Sequence, residues 1–66
     1  MKKYEVEALW FDMDNDASTP YATEVYEVEA ENSEEAWKCA FEKALKSKNC
    51  YDDVNYAIDF NEAIEL

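Results

Sequence analysis

From Lys3 to Phe11 the chain alternates, with Tyr4, Val6, Ala8 and Trp10 on one side and Glu5, Glu7, Leu9 and Phe11 on the other. Ala22 to Glu31 alternates too, setting Tyr26, Val28 and Ala30 against Val25, Glu27, Glu29 and Glu31. A period of two with one apolar side predicts two strands, each with one buried face. The segment from Asp12 to Pro20 between them is rich in turn formers and predicts a hairpin loop. A third alternating run, Val54 to Asn61, carries Val54, Tyr56, Ile58 and Phe60 on one side and predicts a third strand.

Between the second and third runs the period changes. Asn32-Ser33-Glu34-Glu35 is a helix start, since Asn32 or Ser33 can cap the first amides and the glutamates suit the positive end of the helix dipole. Trp37, Ala40, Phe41, Ala44 and Leu45 then recur at helical spacing as one apolar stripe. Asn49 is the expected helix end, there being no glycine in the chain.

The order strand, strand, helix, strand fits one α+β domain over residues 1–66, a length that leaves no room for a second core. The first two strands form a hairpin and the third returns antiparallel beside the first. The expected fold is a three-stranded antiparallel sheet of order 2-1-3 with one helix on one face. The expected core is Tyr4, Val6, Trp10, Tyr26, Val28, Trp37, Phe41, Leu45, Tyr56, Ile58 and Phe60. The opposite face of the sheet is left open.

Charge divides this picture sharply. The chain carries 17 acids and 6 lysines, a net charge of -11, with no arginine and no histidine. Residues 1–31 hold nine acids and two lysines, residues 32–48 three acids and four lysines, and residues 49–66 five acids and no lysine. The helix is nearly neutral, and the sheet with its loops carries the excess. A surface of this sign repels phosphate backbones and anionic membranes, which argues against direct nucleic-acid or membrane binding. No apolar run is long enough to span a bilayer, and the opening Met1-Lys2-Lys3 lacks the apolar stretch of a secretory signal. Cys39 and Cys50 are expected as free thiols in a reducing cytoplasm.

Matching buried residues across the hairpin sets Val6 opposite Val28 and Tyr4 opposite Ala30. That register faces Glu5 with Glu29 and Glu7 with Glu27, and like charges directly across a strand pair are destabilising. Leu9, Phe11 and Val25 project from the same open face, and Asp59 joins it from the third strand. Acids held at a cost to stability beside apolar groups point to a partner with a basic surface. Carboxylates two apart on a strand recur every ~6.6–6.8 Å, a spacing on the scale of a nucleic-acid backbone. Glu5, Glu7, Glu27 and Glu29 form the centre of the expected binding face. Asp59 and the loop acids Asp12, Asp14 and Asp16 form its rim, with Leu9 and Phe11 as apolar anchors. An acidic surface also serves solubility alone. A further alternative is an adaptor or homodimer acting through Leu9, Phe11 and a free sheet edge, that of the second strand among them.

Asp12, Asp14 and Asp16 imitate the opening of a calcium loop, but Ala17 stands where glycine is needed and Glu24 falls one residue late. No cofactor or metal is expected. With no histidine, and no serine or cysteine beside an evident base, no catalytic set is expected either.

The run Val28-Glu29-Ala30-Glu31-Asn32-Ser33-Glu34-Glu35-Ala36 resembles the strand-to-helix junction of small phage- and plasmid-encoded proteins, among them DpnD/PcfM-type and small anti-CRISPR proteins. That resemblance implies a mobile-element origin and a strand-strand-helix-strand order. For a chain this acidic it implies a DNA-mimic inhibitor in the cytoplasm of a host bacterium. Its target would be a host defence nuclease or CRISPR-type effector, bound in its nucleic-acid channel. The motif assigns no functional residue.

Overall fold

The computed structural model describes residues 1–66. Strand β1 (Lys2–Asp12) lies between β2 (Ala22–Ala30) and β3 (Tyr56–Phe60), antiparallel to both, in the order β2-β1-β3. Helix α1 (Ser33–Leu45) packs on one face of this sheet, so the α+β class and the strand order are those expected. A short fourth strand, β4 (Ile64–Glu65), pairs with β1 on the same side as β3. Phe60 stands opposite Ala8 and Ile64 opposite Glu5, so the chain takes four steps while β1 takes three. The extra residue is a bulge that divides one long edge strand into two.

Asn32 caps the helix, its side-chain oxygen accepting the Glu35 N–H at 3.0 Å. The Glu35 carboxylate in turn accepts the Glu31 N–H at 3.3 Å, so cap and third helical residue support each other across the junction. The helix closes at Leu45 with Lys46 as its cap, earlier than the expected Asn49. Asn49 is instead a buried residue of the segment that leaves the helix.

The helix presents a different side to the sheet from the one its large residues suggest. Ala36, Ala40 and Ala44 are fully buried, whereas Trp37, Phe41 and Leu45 are 39%, 45% and 50% exposed. These three were expected in the core and lie outside it. The sheet explains the choice, since its inner face already carries Tyr4, Trp10, Tyr26, Tyr56 and Phe60. A second layer of bulky groups would hold the helix away and leave voids, whereas alanines let it settle to the density of a protein interior. Val6 and Trp10 are the largest side chains with no exposed surface, and Trp10 packs in one cluster with Ala8 and Ala44.

Hairpin register is the second departure. Tyr4 faces Val28 and Val6 faces Tyr26, a shift of two residues from the expected pairing. The faces are unchanged, because the side-chain period of a strand is two. Closure of the loop decides the shift: the Tyr21 N–H donates to the Trp10 carbonyl at 2.8 Å, which places the small Ala22 beside Trp10. Glu24 then stands opposite Ala8 on the helix side, where it finds partners described below.

Candidate binding face

The sheet face away from α1 carries Lys3, Glu5, Glu7, Leu9 and Phe11 from β1, Thr23, Val25, Glu27 and Glu29 from β2, and Ala57 and Asp59 from β3. No other element covers it. Lys3 is the only cation among five acids on this face. Within the observed register Glu5 faces Glu27 directly, while Glu29 faces Lys3 and Glu7 faces Val25. The two like-charge pairs expected from the sequence therefore reduce to one, formed by different partners.

The five carboxylates differ in how they are held. Lys3 Nζ approaches Glu27 Oε1 at 3.7 Å, on the diagonal of its own cross-strand position. Glu7 is half-buried and accepts the side-chain amide of Asn61. Asp59 accepts the Phe60 N–H at 2.8 Å and stands across from Leu9. Glu5 and Glu29 are exposed with neither a hydrogen bond nor an ion pair. Leu9 and Phe11 are half-buried rather than freely projecting, and the exposed apolar residues of this face are Val25, at 57%, and Ile64 of β4, which stands opposite Glu5, at 58%.

The loop acids serve the turn. Asp12 accepts the Asp14 N–H at 3.1 Å and the Asn15 side-chain amide at 2.7 Å. Asp16 accepts both the N–H and the hydroxyl of Ser18, which hold its carboxyl below the usual carboxylate range. Asp14 accepts the Asn55 side chain at 3.3 Å and links the loop to the approach to β3. They do not form the expected rim of the open face: Asp12 stands opposite Tyr56 in phase with Trp10, on the helix side, Asp14 and Asp16 lie in the loop beyond the strand, and the three do not converge as metal ligands.

A second polar cluster, on the helix side, lies outside the expected binding residues. Glu24 accepts the hydroxyl of Ser47 and the side-chain amide of Asn49, and Tyr26 donates its hydroxyl to the same carboxylate at 3.2 Å. Burial, then the charge of Glu24, pushes the Tyr26 hydroxyl up to about 12. Tyr21 adds a bond from its hydroxyl to the Asn49 carbonyl at 2.7 Å. The one available clue was a glutamate in phase with the buried residues of β2. Cys39 and Cys50 are half-buried free thiols, and Cys50 donates to the Ala44 carbonyl at 3.1 Å.

The molecule measures 39 × 21 × 15 Å and its surface has no cavity, so the candidate site is a face and not a pocket. No helix is long and apolar enough to cross a membrane. No family model, curated protein or solved structure matches this chain.

Proposed function

We propose that the chain is a non-catalytic inhibitor whose open sheet face occupies a basic, nucleic-acid-binding surface on another protein, a host defence nuclease or CRISPR-type effector. The observation that carries this reading is the direct opposition of Glu5 and Glu27, on a face whose single cation is Lys3. A face selected for stability alone would place lysine or threonine at one of these positions. Glu5 and Glu29, free of internal partners, supply charge that a guanidinium or ammonium on the target can take up. Val25, with the flanks of Leu9 and Phe11, supplies the apolar contact that exposed ion pairs do not replace.

The test is a pull-down from bacterial lysate at low and high salt, repeated with Glu5→Lys/Glu29→Lys. A basic nuclease retained at low salt, released at high salt and displaced by a DNA or RNA oligonucleotide supports the reading. Equal retention by the double variant overturns it.

A further inference from the structure

The sheet has two free edges, and they are built differently. In an antiparallel ladder a residue directs its N–H and C=O to the same neighbouring strand, and successive residues alternate. The Met13 N–H donates to the Asn55 carbonyl at 2.9 Å and the Asn61 N–H to the Glu7 carbonyl at 3.0 Å, so odd-numbered residues of β3 bond to β1. Tyr56, Ile58 and Phe60 therefore direct their backbone groups outward. By the same parity Thr23, Val25, Glu27 and Glu29 direct theirs outward from β2. The β2 edge strand carries three carboxylates, Glu24, Glu27 and Glu29, the type of side chain that keeps edges apart, whereas β3 carries neither lysine nor proline and one acid, Asp59.

The apolar surface beside β3 is open as well. Helix α1 lies over β2 and β1, and its stripe of Trp37, Phe41 and Leu45 overhangs the β3 side. Trp37 Nε1 donates to the Asn61 carbonyl at 3.1 Å, and the rings of Phe41 and Phe60 meet edge to face at 6.2 Å. Tyr56, Ile58 and Phe60 are only half-buried beneath this overhang.

We propose that a second copy of this chain occupies this edge, with β3 antiparallel to β3 of the second copy about a twofold axis through Ile58. That register pairs Ile58 with its own counterpart, and Tyr56 with Phe60 in both directions, the Phe60 N–H exchanging its bond to the Asp59 carboxylate for one to the second strand. On the helix side it stacks aromatic against aromatic beneath the two helical stripes. On the open face it sets Asp59 across from Ala57, so the only charge on the strand does not meet itself. Both helices then lie on one side of a continuous sheet, and both acidic faces on the other. Asp52, Asp53 and Glu62 flank the strand and approach across the axis, so salt strengthens this association. The sign is opposite to that expected for acidic-face binding, and the two readings fail separately.

Sedimentation equilibrium of the full chain, at low and high salt, tests the proposal. The expected result is a monomer–dimer equilibrium that shifts towards dimer as salt is added. Ala57→Lys gains two pairs with Asp59 per dimer and tightens association by roughly 2- to 30-fold, while Ala57→Asp weakens it by a similar factor. Thr23→Lys and Thr23→Asp make the same changes in net charge on the β2 side and produce smaller shifts. A monomer at every concentration and both salt levels overturns the proposal. Equal shifts from the position 57 and position 23 variants overturn the β3 register.

Discussion

The carboxylate of Glu24 accepts the side-chain amide of Asn49, 25 residues further along the chain, and so ties β2 to the segment that leaves the helix. With Ser47 and Tyr26 bonded to the same carboxylate, the helix is fixed at its C-terminal end as Asn32 fixes it at the other. Alanine at 24 leaves the buried Asn49 amide without its acceptor. Glu24→Ala is expected to lower stability by about 1–3 kcal/mol in urea unfolding. Glu29→Ala, on the open face without a bonded partner, is expected to stay within about 0.5 kcal/mol.

Alkaline pH acts on the same cluster. The folded chain keeps the Tyr26 proton up to about 12, whereas the unfolded chain releases it near 10. The folded state thus holds more protons in that window, and stability falls as pH rises from 10 towards 12. Burial raises the Tyr21 hydroxyl, and the neighbouring Cys50 raises that of Tyr56, in the same direction. Unfolding midpoints across this range are expected to fall less steeply in Tyr26→Phe than in the parent chain.

Charge reversals on the open face separate the observed register from the shifted one. Glu5→Lys converts the Glu5–Glu27 opposition into an attractive pair and is expected to stabilise by ~0.2–1 kcal/mol. Glu29→Lys places a second lysine across from Lys3 and is expected to destabilise by a similar amount. In a register that faced Glu5 with Glu29, both substitutions would stabilise. Thermal midpoints decide between these outcomes, and a gain in stability from Glu5→Lys is expected to accompany lost binding to a basic target.

On the helix, the small residues matter more than the large ones. Ala40→Leu inserts three carbons against a filled sheet face and is expected to cost about 1–3 kcal/mol. Leu45→Ser, at a half-exposed position, is expected to cost much less. Chemical unfolding of the two variants side by side measures the difference.

Alternation along β1 and β2 was enough to assign each residue to a face, and the Asn32 cap was enough to start the helix. Those signals are local, and they carry the sheet order with them. Register was not legible, because faces survive a shift of two residues and nothing in the loop sequence announces the Tyr21–Trp10 closure. Nor was the buried side of the helix. Summed hydrophobicity favours Trp37, Phe41 and Leu45, but the space left by Trp10 and the inner tyrosines admits only alanine. Of the expected binding residues, the strand acids share one face as anticipated, whereas Asp12, Asp14 and Asp16 are engaged in shaping the turn.

The bulge between β3 and β4 acts as a parity switch for the C-terminal residues. With it, Ile64 stands opposite Glu5 on the acidic side and is 58% exposed, while Glu65 stands opposite Tyr4 and reaches Lys2 at 3.7 Å. Without the bulge, the register of β3 carried on to the same residues would set Ile64 opposite Tyr4 and Glu65 opposite Lys3, sending an isoleucine towards the helix and a glutamate to the open face. The bulge, and not the alternation of the residues alone, thus sets whether the acidic surface is bordered by a greasy side chain or by one more charge.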